Sequence, residues 1–256
     1  MTESGEDQEL TLIDHLLELR TRIFKALIAV VIILVGLTPF ARTLYSYLSE
    51  PLVRHLPDGA SMVAIDVASP FFAPFKLVML LALLLAMPVV IYQAWAFVAP
   101  GLYREEKRLA KPLLVAAVGL FYAGCAFAYF AVFPIIFAFF TAMAPEGVAV
   151  MTDISRYLDF VITLFIAFGL AFQVPVITIV LVAIGVVSVS SLTRARGYVV
   201  VGAFTIAMLI TPPDVISQTL LAIPVLLLYE LGIVFARLLV RQPQSSTSSG
   251  EESSEG

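Results

Sequence analysis

Two short stretches set acids closely among bases. Gly101-Leu-Tyr-Arg-Glu-Glu-Lys-Arg-Leu109 sets Glu105 and Glu106 among Arg104, Lys107 and Arg108, and His15-Leu-Leu-Glu-Leu-Arg-Thr-Arg22 sets Glu18 four residues before Arg22. A carboxylate in such a setting can take a guanidinium group of a ligand in a planar, two-pronged pair. The same spacing suits an ordinary surface pair between Glu18 and Arg22, worth a few tenths of a kcal/mol. Glu105 and Glu106 equally suit the start of a helix, where the dipole favours negative charge. Residue types alone leave both readings open.

Other reactive groups are sparse. His15 and His55 are the only histidines, and neither belongs to a His-Glu-x-x-His arrangement. No Gly-x-Ser-x-Gly or Walker-type phosphate loop is present, so no enzymatic activity, ATP hydrolysis, metal or cofactor is expected. Cys125 stands alone and cannot form an internal disulfide. Gln173, in Phe172-Gln-Val-Pro175, is a polar side chain in an apolar run. It either bonds to a neighbouring helix or marks a secondary-transporter pathway with polar sites near Gln173 and Asp214. Pro88, Pro134, Pro175 and Pro224 do not recur in matching halves, as the inverted repeats of a transporter would require. An intramembrane hydrolase is a third class, without recognisable nucleophile–base spacing.

These groups must be positioned by elements that live in lipid. Of 256 residues, 61% are hydrophobic and 13% charged, far outside the globular range. The apolar runs are continuous, which points to helices of about 20 residues rather than alternating strands. The expected fold is an all-α integral membrane protein with six transmembrane helices near Ile23–Ala41, Lys76–Val98, Pro112–Phe140, Tyr157–Val187, Gly197–Thr211 and Val215–Leu238. Before the first, Asp14, Glu18, Arg22 and Lys25 recur on one side and Leu12, Leu16, Leu19 and Ile23 on another, an amphipathic helix leading into the span. Residues 12–241 form the membrane domain; the acidic segment 1–11 and the Ser- and Glu-rich segment 242–256 are expected as disordered tails. The acidic N-terminus lacks the basic region and cleavage site of a secretory signal peptide, so the first span is expected to be retained.

Lys and Arg orient the spans. Arg20, Arg22, Lys25, Arg104, Lys107, Arg108, Lys111, Arg194, Arg196, Arg237 and Arg241 fall on one side, eleven in all, against Arg42, Arg54, Lys76 and Arg156 on the other. The positive-inside bias places both termini in the cytoplasm. The fifth span has room for only about 22 Å of helix before Pro212-Pro213-Asp214 turns the chain. It is either buried against longer neighbours or sits where the bilayer thins.

From His15 to Arg237 the sequence resembles the TatC subunit of the twin-arginine protein translocase. The matching stretches are His15–Arg22, Asp66-Val-Ala-Ser-Pro-Phe-Phe72, Tyr92-Gln-Ala-Trp-Ala-Phe97, Leu102-Tyr-Arg-Glu-Glu-Lys-Arg-Leu109, Phe127-Ala-Tyr-Phe130, Ala144-Pro-Glu-Gly147 and Thr211-Pro-Pro-Asp-Val-Ile-Ser-Gln218, in order around the spans. The resemblance implies a non-enzymatic receptor in the bacterial inner membrane. It would bind twin-arginine signal peptides of folded proteins and assemble with single-span TatA- and TatB-type partners, in contact with membrane lipid and without nucleic acid. It also gives Glu18 and Glu106 the place of the family's signal-binding acids, with Arg20, Leu102, Tyr103, Arg104 and Phe97 around them. Met208, Thr211 and Gln218, with Gln173, take the place of a docking face for partner helices. Pro51, Ser69, Pro70 and Asp214 belong to the structural loops. Where this chain has Gln173 other members carry Glu, so proton chemistry is not implied there; Glu105 receives no role.

The charge asymmetry is directly testable. In a chain whose Cys125 is replaced, single cysteines at Arg104 or Arg108 should react with a membrane-impermeant thiol reagent only from the cytoplasmic side, and one at Asp58 only from outside. Labelling of the first two from outside would reverse the orientation.

Overall fold

A computed structural model describes residues 3–46, 62–98, 110–142, 152–210 and 215–239. Its helices are α1 (Glu3–Leu37), α2 (Ser69–Val98), α3 (Ala110–Phe127), α4 (Phe133–Ala142), α5 (Ile154–Ala171), α6 (Val174–Ala183), α7 (Val189–Arg194), α8 (Arg196–Ile210) and α9 (Val215–Leu239). Strands β1 (Met62–Val63) and β2 (Thr152–Asp153) pair in parallel, Met62 opposite Thr152. Pro51, Asp58, residues 99–109, Thr211, Asp214 and the tail 242–256 lie outside the described residues.

Local chemistry sets the element ends. α1 begins at Glu3. Pro39, with no amide hydrogen, breaks α1 into a single 3₁₀ turn at Thr38–Phe40, and the helical path runs on to Ser46. α2 starts at Ser69 instead of Lys76. The Asp66 carboxylate accepts the Ala68 amide at 3.3 Å and its carbonyl accepts the Ser69 amide at 3.0 Å, winding the chain into a first turn that admits Pro70.

Inside α2, Pro88 cannot donate to the Leu84 carbonyl. The Tyr122 hydroxyl on α3 donates to that oxygen instead, at 2.9 Å. The third expected span is one path from α3 to α4 through a π-helical segment, Ala128–Val132, where the Phe133 amide reaches back to the Ala128 carbonyl. The fourth is not one helix. α5 ends at Ala171 and α6 begins at Val174, because Pro175 cannot extend the α5 ladder. α6 stops at Ala183, short of the expected Val187, in a Schellman turn: Gly185 has φ 74°, its amide bonds the Val182 carbonyl, and Val186 bonds the Leu181 carbonyl.

By length and composition, five helical paths are suited to crossing a membrane among the described residues: Ile13–Ser46, Ser69–Val98, Ala110–Ile136, Ile154–Ala183 and Gln218–Leu239. The expected fifth span appears as α8, an apolar helix of 15 residues. At the centre, α3 lies against α5 and α6 against α9. Gly124 and Gly169 permit the first approach: a Cβ at Gly124 would stand 2.5 Å from the Phe168 carbonyl oxygen, and one at Gly169 would stand 2.5 Å from the Phe121 ring. Close backbone contact through small residues is the usual way membrane helices gain packing energy. α1 differs, resting chiefly on α2 with none of its most apolar stretch buried.

The close approach predicts a contrast on one helix. Gly124→Val should destabilise the protein by about 1–3 kcal/mol through overpacking, read as a lowered unfolding midpoint in detergent. Gly119→Val, whose Cβ meets nothing within 4 Å, should change it little. Equal losses would assign the cost to β-branching within the helix and not to the α3–α5 contact.

Candidate functional site

Helical spacing on α1 decides which expected residues meet. Glu18 and Arg22 are one turn apart, and both Arg22 Nε (2.9 Å) and an Arg22 terminal nitrogen (2.6 Å) donate to the same oxygen, Glu18 Oε1. Glu18 Oε2 has no partner among the described residues, and the side chain retains 37% exposure. Glu18 is thus both the ordinary i, i+4 pair read from its spacing and a carboxylate with a free edge. Arg20 does not join it. Two residues on, it points about 200° around the helix, where its guanidinium lies 5.6 Å from the centre of the Phe24 ring.

Phe97 is brought to this region by a contact that sequence spacing does not reveal. Near the end of α2 its ring stacks on His15 with centroids 4.2 Å apart and planes inclined by 21°. His15 is three residues before Glu18 and so on the same side of α1. His15 was not singled out as a site residue; its place one turn from Glu18 was the available signal. Leu102, Tyr103, Arg104, Glu105 and Glu106 lie outside the described residues, in the connection that leaves α2 just beyond Phe97.

The second expected set is only partly grouped. Met208 is exposed on α8 and Gln218 half-buried near the start of α9, while Thr211 lies outside the described residues. Gln173 turns inward, its amide nitrogen donating to the Ala117 carbonyl on α3 at 2.9 Å. That bond bridges the α5–α6 break to a neighbouring helix. Of the expected loop residues, Ser69 is buried and accepts the Ser155 hydroxyl at 2.8 Å, and Pro70 is exposed in the first turn of α2. Among the described residues no three His, Cys, Asp or Glu side chains gather as metal ligands.

Residues 14–224 match the family described as Sec-independent protein translocase protein (TatC). The chain belongs to the TatC family. Relatives called Sec-independent protein translocase protein TatC include one from Azotobacter chroococcum mcd 1, 54% identical over 244 residues, covering 95% of this chain and 96% of that protein. Another, from Escherichia coli (strain K12), is 53% identical over 237 residues, 93% of this chain and 92% of that one. A crystal structure described as the twin arginine translocase receptor TatC superposes with a TM-score of 0.78 at 35% identity, covering 89% of this chain and 100% of the other. This TatC-family chain is accordingly a multi-pass protein of the bacterial inner membrane and a component of the Sec-independent protein translocase.

The His15–Phe97 stack predicts an energetic link between the start of α1 and the end of α2. A double-mutant cycle of His15→Ala and Phe97→Ala, followed by unfolding of the purified protein, should give a coupling of about 0.5–1.5 kcal/mol. A coupling near zero would mean that the two ends are positioned independently.

Proposed function

We propose that this chain is the non-enzymatic signal-peptide receptor and core subunit of the translocase, binding twin-arginine signal peptides on its cytoplasmic face. The observation that supports this most is Glu18, held through one oxygen by Arg22 with the other oxygen unpartnered among the described residues, one turn from the His15–Phe97 stack. Leu102, Tyr103, Arg104 and Glu106 follow closely after Phe97 in the sequence. Both termini are cytoplasmic, following the eleven-to-four distribution of bases, and α8 is the fifth of six spans.

Magnitudes divide the labour. An exposed carboxylate–guanidinium pair contributes about 0–1 kcal/mol, so two such pairs cannot hold a peptide unaided. The apolar segment of a signal peptide adds about 1.5–3 kcal/mol for each large side chain fully buried, less the cost of ordering it. Burial therefore supplies affinity, and the acids supply selection, because arginine offers a planar fork that lysine lacks. Single-span TatA- and TatB-type partners dock on the surface of Met208, Thr211 and Gln218, where polar groups at membrane depth need protein instead of lipid. Pro51 and Asp214 belong to the outer connections, whereas Ser69 and Pro70, expected in a loop, open α2. The transporter reading gains no support from Gln173, whose amide is already bonded to a backbone carbonyl.

Binding of a twin-Arg peptide and its twin-Lys variant to the purified protein tests the assignment. Wild type should prefer the twin-Arg peptide, and Glu18→Gln with Glu106→Gln should remove most of that preference, a change of about 3–10-fold. Equal weakening of both peptides would reduce the acids to a general negative field, and absence of any peptide binding would defeat the receptor reading.

A further inference from the structure

At the opposite end of α2 from Phe97, the first turns of α2 and α5 enclose a recess of about 350 Å³. Its polar lining is Asp66, Ser69, Lys76, Asp153, Ser155 and Arg156, two carboxylates and two cations whose formal charges cancel. The volume falls in the range of small-ligand sites, roughly 300–1,000 Å³. No role assigned above uses this cluster.

Asp153 is the group that calls for a ligand. Its side chain is only 10% exposed, yet Oδ1 accepts a single hydrogen bond, from the Ser155 amide at 3.3 Å. The other oxygen lies 3.9 Å from Arg156 Nε, too far for a hydrogen bond, and has no other partner among the described residues. Among the described residues this nearly buried carboxylate, which can accept about four hydrogen bonds, receives one, as the N-cap of α5, and a loose ion pair with Arg156. Arg156 stands at the rim with 89% of its side chain exposed. The Lys76 ammonium is engaged by both oxygens of Asp159, at 2.7 and 2.9 Å. The available groups are therefore the Asp153 carboxylate inside, the exposed Asp66 carboxylate and the Arg156 guanidinium outside. Phe72 lines the same recess, and Phe71 and Phe75 continue an exposed apolar surface beside it.

We infer that this recess binds the headgroup of a zwitterionic phospholipid carrying a primary ammonium, an ethanolamine phosphate diester. The ammonium is the end of such a headgroup farthest from the acyl chains. It enters the recess and gives N–H donors to Asp153, while the phosphate remains at the rim against Arg156 and the acyl chains run along the phenylalanines. A helix of 30 residues is about 45 Å long, the thickness of a bilayer with its headgroups. The end of α2 remote from Phe97 thus reaches headgroup level on the other side of the membrane. With Lys76 taken up by Asp159, two carboxylates against one remaining cation disfavour a purely anionic headgroup, and a trimethylated ammonium has no N–H to offer Asp153. This inference does not rest on the signal-peptide assignment, only on the chain's place in the membrane.

Native mass spectrometry of the delipidated full chain tests it, titrating short-chain phosphatidylethanolamine, phosphatidylcholine, phosphatidylglycerol and free glycerophosphoethanolamine. Phosphatidylethanolamine should bind at least about tenfold more tightly than each of the others, the worth of one charge-assisted hydrogen bond. Asp153→Asn keeps an oxygen that caps α5 while removing the charge, and Arg156→Gln alters an exposed side chain; each should abolish the preference. Equal binding of the three lipids, or an undiminished preference in both variants, would overturn the proposal. Free headgroup binding as tightly as the lipid would overturn the assignment to a bilayer source.

Discussion

A hydrocarbon layer offers no water to a helix that breaks its own ladder, so each irregular point must be completed by a neighbouring helix. The bundle is tied together at such points. Pro88 leaves the Leu84 carbonyl without its amide partner, and Tyr122 supplies a donor from α3. The α5–α6 break at Phe172–Gln173 is bridged to α3 by the Gln173 amide. Tyr229 on α9 donates to the Leu192 carbonyl at the end of α7, at 2.8 Å. Each irregularity that frees a helix from straightness also specifies which helix must stand beside it.

Packing then separates a centre from a periphery. The centre is α3, α5, α6 and α9, where Gly124 and Gly232 bring backbones into near contact, Gly169 makes room for the Phe121 ring, and Phe121, Phe168, Leu164 and Ile233 are fully buried. α1 and α8 lie outside it, with large apolar side chains such as Ile32, Val35, Tyr198 and Leu209 uncovered. For a soluble protein this exposure would be an aggregation hazard; for a chain in lipid it is the solvated surface. Glu18 of the proposed recognition surface and Met208 of the proposed docking surface fall on these peripheral helices, so ligands can engage them without disturbing the packed centre.

Charge is used sparingly and at the margins. Arg22–Glu18, Lys76–Asp159 and Arg196–Glu230 all remain partly exposed, where pairing contributes modestly and exchange of partners is cheap. Such pairs suit selection and positioning better than they suit stability. Asp153 is the contrasting case: nearly buried and thinly bonded, it carries a desolvation cost that a ligand donor would relieve.

The sequence by itself determined the solvent of this protein, its helical class and the approximate place of its long apolar helices, because those depend on composition and local period. It also determined the Glu18–Arg22 pair, since i, i+4 neighbours meet on any helix. It did not reveal that the fourth span divides at Phe172–Gln173 or that the chain from Ala110 to Ala142 passes through a π-helical segment, since a proline within an apolar run is compatible with a kink, a break or a bulge until neighbours are known. The stack of His15 on Phe97 and the recess around Asp153 were decided only by tertiary structure. Both depend on helix ends remote in the chain arriving at one place, which short-range spacing does not encode and which packing of the intervening helices enforces.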